Sequence, residues 1–250
     1  MTIRALDHFS RVSPAYASWR PGYPEALFDY LASLPPQTGL AWDCAAGTGQ
    51  ASIPLAGRFN QVIATDISIA MLSQASPHPR VEYRAVPAEA SGLADGTVDL
   101  ITVAQALHWL DLDRFYAEAR RVLATGGVLA AWTYGRQQFG DGMLDELLDR
   151  FYREVIGPYW PAERSHVEAG YRTLPFPFAE LDPPRFFMEE QWTLRQVLGY
   201  VGTWSATQRY REQVGHDPLP RLEADLAARW GPHPIRAVRW PLSARVGVGP

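Results

Sequence analysis

The 250-residue sequence contains no lysine: all 23 of its basic residues are arginine. That excludes a Schiff-base lysine, a pyridoxal phosphate site and the lysine of a Walker A loop. Cys44 is the single cysteine, so the chain can form no internal disulfide, CxxC redox pair or cysteine-rich zinc site. The six histidines, at 8, 78, 108, 166, 216 and 233, fall in neither HxxxH nor HExxH spacing, which leaves a metal site without support. Positive charge is also in short supply. With 27 acidic residues the net charge is −4, against a role in coating nucleic acid or an anionic membrane. No apolar run approaches the ~18 residues that span a bilayer, and the opening MTIRALDHFSRVSP lacks the apolar stretch of a secretory signal. The expectation is a soluble, cytoplasmic protein with no metal, nucleic-acid or membrane partner, long enough to bury a sizeable core in one domain.

What is present is a regular alternation. The segment 24–34, PEALFDYLASL, sets Leu27, Tyr30, Leu31 and Leu34 at helical spacing behind Pro24, and Pro35-Pro36 stop it. Short apolar strands are predicted at 40–44, 61–65, 81–86, 98–104 and 128–133, the last after the break at Gly126-Gly127. Helices are predicted between them at 50–57, 69–75 and 112–123. Such alternation specifies an α/β fold, a parallel sheet with helices on both faces. The second half reads as a helix at 143–156, a proline- and aromatic-rich connection at 157–184 that suits a lid, and late strands at 186–192 and 235–246. Helices at 194–200 and 219–230 lie between those two strands, which would add to one edge of the sheet.

In such a sheet, ligands bind beyond the carboxyl ends of the strands, at the switch in strand order. The run Asp43-Cys44-Ala45-Ala46-Gly47-Thr48-Gly49 falls there, and Asp66 ends the next strand, 17 residues past Gly49. Glycines let the backbone approach a ligand, and a carboxylate at Asp66 can accept from both hydroxyls of a ribose. A dinucleotide and S-adenosylmethionine share this geometry. For the dinucleotide, Gly47-x-Gly49 is followed by Ser52 where GxGxxG wants its third glycine, and Asp43 would repel a pyrophosphate. A sulfonium ligand with an ammonium group favours an acid there, so the electrostatics select S-adenosylmethionine.

The loop resembles motif I of the class I S-adenosylmethionine-dependent methyltransferases: Asp43, Gly47 and Gly49 match, with Ala45 where the first glycine usually stands. Asp66-Ile67 resembles the ribose acid and the apolar residue against the adenine, and Met71 follows on the next helix. Pro87-Ala88-Glu89 stands where relatives carry an adenine-reading Asp, which leaves Ala88 and Glu89 for that task. Leu123-Ala124-Thr125-Gly126-Gly127 resembles the family's turn before the fifth strand. Further segments, Tyr16 to Pro24, Gln105-Ala106-Leu107-His108-Trp109 and Thr203-Trp204-Ser205, resemble small-molecule methyltransferases related to trans-aconitate methyltransferase. The resemblance implies one doubly wound, Rossmann-like domain over 1–250 with a seven-stranded sheet, mostly parallel with one antiparallel edge strand. Residues 1–36 would form a helical cover, 37–135 the cofactor core, and 136–250 the sheet edge and substrate cap.

The candidate cofactor residues are therefore Tyr16, Arg20, Asp43, Ala45, Gly47, Gly49, Asp66, Ile67, Met71, Ala88, Glu89 and Gln105. Tyr23, Trp109, Trp204 and Arg209 are candidates for the acceptor, and His108 is the candidate proton acceptor. Methyl transfer to a carboxylate needs no base but wants cationic anchors, for which Arg20 and Arg209 are placed; an alcohol or phenol would call on His108. The expected function is O-methylation of a small molecule by in-line transfer, with the carboxylate of a small acid as the leading acceptor and a hydroxyl as the other. The competing readings are a binding module without turnover, a nicotinamide-dependent oxidoreductase, and a nucleic-acid or protein methyltransferase. The last lacks an Asn/Asp-Pro-Pro-aromatic motif after the fourth strand. No heptad or long apolar stripe points to an oligomeric state.

Overall fold

The structure, a computed structural model, describes residues 21–249. Helix α1 (Glu25–Ala32) buries Leu27, Phe28 and Leu31, and Arg58 holds its outer face by ion pairs to Glu25 and Asp29 at 2.8 and 2.6 Å. Strand β1 (Leu40–Cys44), helix α2 (Ser52–Ala56), strand β2 (Gln61–Asp66), helix α3 (Ile69–Leu72) and strand β3 (Val81–Ala85) follow. Then come β4 (Val98–Ala104), α4 (Leu112–Val122) and β5 (Leu123–Tyr134). These five strands are parallel, in the order β3-β2-β1-β4-β5.

Strands covered on both faces read as continuous apolar runs, and alternate residues feed two cores. Ala41, Val62, Leu100, Val128 and Ala130 pack toward Leu27, Phe28 and Leu31 of α1. Their neighbours Trp42, Ile63, Ile101, Leu129 and Ala131 pack toward Phe115 and Ala119 of α4. Asp111 caps α4 by accepting from the Arg114 N–H.

The second half departs from expectation in three places. The helix predicted at 143–156 is α5 (Gly142–Arg150) running into a π-helix at Phe151–Val155. The connection 157–184 holds a short helix α6 (Arg164–Glu168) and a three-residue strand β6 (Ala179–Leu181), too short to leave a periodic trace. The sheet therefore has eight strands rather than seven. Strand β7 (Phe186–Thr193) and the 14-residue β8 (Ile235–Val248) close it, with α7 (Leu194–Gly202), α8 (Ser205–Val214) and α9 (Leu219–Ala227) between them. The antiparallel strand is β8, and it is internal: it pairs β5 on one side and both β6 and β7 on the other. Its length explains the count, because one end serves β7 and the other β6, with Pro183-Pro184 separating the two pieces. Strand β5 also starts earlier than expected. It runs through Gly126-Gly127, whose extra residues are absorbed by a register shift against β4 between Val98 and Leu100.

A third apolar cluster joins the π-helix, α7, α9, β7 and β8 through Tyr152, Val197, Tyr200, Trp192, Trp240 and Leu226. It carries the cap over the ends of β4 and β5. No helix among the described residues is long and apolar enough to cross a membrane.

Candidate functional site

Beyond the carboxyl ends of β1, β2 and β4 lies a cavity of about 1420 Å³, walled by the loops after these strands and by the cap. The loop after β1 turns through three left-handed residues, Ala45 (φ 56°), Gly47 (58°) and Gly49 (79°). It is tied to β2 by Ala46 N–H donating to the Thr65 carbonyl at 2.9 Å and Gly47 N–H donating to Asp66 Oδ2 at 2.9 Å. Only glycine suits position 49, where a Cβ would stand 2.6 Å from the Tyr83 hydroxyl. Ala45 holds the same backbone class with a Cβ, at a cost of about 1–2 kcal/mol. Ala45→Gly is expected to keep the fold and raise the melting temperature by a few degrees; a lower melting temperature would contradict the strain.

Asp43 lies behind this wall. Its side chain is fully buried and accepts from Ser52 Oγ at 2.6 Å and Thr102 Oγ1 at 2.9 Å. The expectation of direct cofactor contact is corrected here, since both oxygens are turned to hydroxyls beneath the loop. Burial pushes its carboxyl up to about 6, with the nearby Asp66 adding to the rise and the two hydroxyls opposing it. Gly49 is likewise buried behind the wall, not on it.

Asp66 is on the wall. Oδ2 accepts from Gly47 N–H at 2.9 Å and Oδ1 from Ser68 N–H at 2.8 Å. Each oxygen keeps lone-pair capacity, enough for two vicinal hydroxyls. Burial raises the Asp66 pKa, and the backbone donors pull it down. Ile67, Met71, Val86 and Ala88 line the apolar neighbourhood. Glu89, expected to read the adenine, is not on this wall: its carboxylate accepts from the Asp111 N–H at 3.3 Å, at the start of α4.

At the end of β4, Gln105 is left-handed (φ 57°) and its amide is held on both sides. Nε2 donates to the Tyr134 carbonyl at 3.3 Å, and Oε1 accepts from the Thr133 hydroxyl at 2.8 Å. His108 follows, half-buried, its ring 4.7 Å from Trp109 and its Nδ1 2.9 Å from the Tyr171 hydroxyl. The cap adds Trp160, Arg164, Arg195, Trp204 and Arg209. Arg164 stacks on Trp160 at 4.6 Å and donates to Tyr152 Oη at 2.7 Å. Trp204 is 5% exposed and meets Tyr152 and Tyr200 edge-on, so most of it packs the cap.

The family described as a methyltransferase domain matches residues 42–131, the span that holds this loop and both acids. A Dictyostelium discoideum methyltransferase is 32% identical over 223 residues, 88% of this chain and 85% of its own length. The chain belongs to the class I S-adenosylmethionine-dependent methyltransferases. An uncharacterised methyltransferase of Mycobacterium tuberculosis is 31% identical over 231 residues, 92% of this chain and 88% of that one. A solved structure from Anaeromyxobacter dehalogenans, described as a type II methyltransferase, superposes with a TM-score of 0.87 at 48% identity. It covers 92% of this chain and 97% of its own.

The methyltransferase's cavity fits its cofactor on two observations: the Asp66 oxygens retain capacity for ribose hydroxyls, and Asp43 is a buried acid whose ionisation a cation above the loop would favour. Asp66, Ala45, Gly47, Ile67, Met71, Ala88 and Gln105 share one wall, and Tyr23, His108, Trp109, Trp204 and Arg209 line the same cavity. Tyr16 and Arg20 lie outside the described residues. Trp160 belongs to the aromatic cap segments in which the sequence hinted at a hydrophobic pocket, whereas sequence reasoning missed Tyr134 and the buried Tyr171. Tyr171 comes from the irregular connection, where no period marks which aromatic turns inward.

Proposed function

We propose that this methyltransferase transfers a methyl group to an oxygen of a small molecule. The observation that carries the reading is the size of the cavity: 1420 Å³ exceeds the roughly 300–1,000 Å³ of a single-ligand site. A cofactor and a modest acceptor fit together beneath the cap. When bound, S-adenosylmethionine supplies an electrophilic methyl, so the protein's task is orientation and exclusion of water. Asp66 and the Ala45–Gly47 backbone hold the nucleoside end, and Trp109 and Trp160 give the acceptor flat walls.

Arg209 is half-buried on that wall and makes no ion pair among the described residues. A carboxylate on the acceptor is the partner it fits. In a screen of small carboxylic acids with labelled methyl donor, Arg209→Ala is expected to raise KM for an active acid about tenfold or more with little change in kcat. An unchanged KM would remove the anchor. The first test of the whole reading is calorimetric titration with S-adenosylhomocysteine, with NADH in a parallel cell. Micromolar binding of the former supports it; binding of NADH alone overturns it.

A further inference from the structure

Arg164 is held in place by one residue of the π-helix. Tyr152, itself buried, accepts from Arg164 Nε at 2.7 Å and donates its own proton to Glu168 Oε1 at 2.6 Å. The guanidinium also lies over Trp160 at 4.6 Å, and the Trp160 indole donates to the Tyr152 carbonyl at 3.4 Å. Both supports therefore hang on Tyr152, in a π-helix of the kind that recurs at functional sites. An arginine so fixed has given up rotamer freedom that a surface side chain keeps. What these contacts leave over is the pair of Nη atoms, whose N–H groups meet no hydrogen-bond or ion-pair partner among the described residues. Arg164 lines the cavity; Tyr152 does not.

The nearby charges do not neutralise it. Asp149 is paired with Arg136 and Arg153, and Glu168 takes the Tyr152 hydroxyl. Arg136 also lies over the Tyr152 ring, at 4.9 Å, so this corner collects cations. Burial lowers the Arg136 pKa, and the charges of Arg153 and Arg164 add to the fall. Glu163 shares the cavity wall but makes no ion pair with Arg164, and the cap carboxylates Glu212 and Glu223 are exposed. Arg209 is the other half-buried arginine of the wall without an ion pair among the described residues. It projects from α8 on the stripe formed by Ser205, Gln208, Arg209 and Glu212. Trp160, beneath Arg164, meets Trp204 at the start of α8 at 5.8 Å, which puts the two arginines on neighbouring parts of one wall.

We propose that Arg164 is a specificity residue for the acceptor: its two Nη atoms take one carboxylate in a paired contact while Arg209 takes another. Tyr152 is a positioning residue, since it fixes the guanidinium from behind the wall. The inference rests on the small-molecule O-methylation reading and deepens it by naming the substrate class, a small acid with two carboxylates. The planar fork of arginine matches the two oxygens of a carboxylate, and holding it in advance lowers the ordering cost of binding. A monoacid meets one anchor and leaves the other arginine half-buried without a counter-charge, so the pair discriminates as well as binds.

Calorimetry on the protein saturated with S-adenosylhomocysteine tests this. The probes are succinate, glutarate, adipate and the benzenedicarboxylates, each beside its half-amide, which keeps the shape and loses one charge. At least one diacid is expected to bind about tenfold or more tighter than its half-amide. Arg164→Gln should bring that diacid down to the affinity of the half-amide, and should leave the half-amide within about threefold of its wild-type value. Arg164→Lys, which keeps the charge without the paired fork, should fall between. Tyr152→Phe frees the guanidinium and should weaken the diacid by about three- to tenfold with little effect on the half-amide. A wild type that prefers no diacid over its half-amide overturns the proposal. So do variants that weaken both probes alike, since that is the behaviour of an arginine that only staples the cap. Failure to bind S-adenosylhomocysteine would sink the functional reading itself, whereas a protein that binds it and treats diacid and half-amide alike would sink the second anchor alone.

Discussion

Asp66→Ala is expected to weaken S-adenosylhomocysteine binding by more than about 100-fold, equivalent to about 3 kcal/mol. Two losses combine. In the proposed binding mode the ribose hydroxyls would lose two charge-assisted bonds, each worth roughly 1.5–3 kcal/mol. The Gly47 and Ser68 N–H groups, which now donate to the same carboxylate at 2.9 and 2.8 Å, also lose their partner. The second loss loosens the glycine loop that brackets the cofactor. Asp66→Asn separates the contributions. It keeps one acceptor oxygen and the volume, so its affinity should fall between wild type and Asp66→Ala. Calorimetry reads the binding and circular dichroism confirms the fold. An Asp66→Ala protein that binds within threefold of wild type would show that the cofactor is held elsewhere.

The cofactor half of the site was legible because its geometry is local. Asp43 to Gly49 and Asp66 end consecutive parallel strands, and the apolar runs that make those strands are written without interruption. The period-two division of Ala41 from Trp42 and of Val62 from Ile63 into separate cores follows from the same pattern. Electrostatic reasoning chose the right cofactor but overstated contact: Asp43 at a strand end can turn either way, and two hydroxyls, Ser52 and Thr102, turn it inward. Their spacing of nine and 59 residues from Asp43 carries no sequence signal. Tyr171 is a harder case. It lies 63 residues from His108, in a segment rich in proline and aromatics, and its left-handed backbone is imposed by tertiary contacts. The internal place of β8 was hidden too, because register along a 14-residue strand is set by pairing partners and not by its own alternation.

Asp43→Asn is expected to stabilise the cofactor-free protein at pH 8 while weakening its hold on S-adenosylmethionine. The Asp43 carboxyl titrates at about 6 in the fold, against 3.8 for the exposed group. Well below pH 3.8 both states are protonated and the site is neutral in the balance. Between the two values the folded state keeps a proton that the unfolded chain has lost, so stability falls as pH rises. Above about pH 6 the fold carries the full penalty, on the order of 3 kcal/mol. Asparagine removes that penalty and can still bond Ser52 and Thr102, whose hydroxyls rotate to donate to its oxygen and accept from its amide. Thermal unfolding across pH 5 to 8 should show the variant gaining on wild type as pH rises, by several degrees at pH 8. Binding should move the other way. A buried anion beneath the loop favours a cation above it, so the variant should lose more affinity for the sulfonium donor than for neutral-sulfur S-adenosylhomocysteine. The wild-type preference between the two ligands should also narrow below pH 6, where Asp43 takes up its proton. A variant that melts lower at pH 8, or loses affinity for both ligands equally, would mean that Asp43 holds the loop's shape and not its charge.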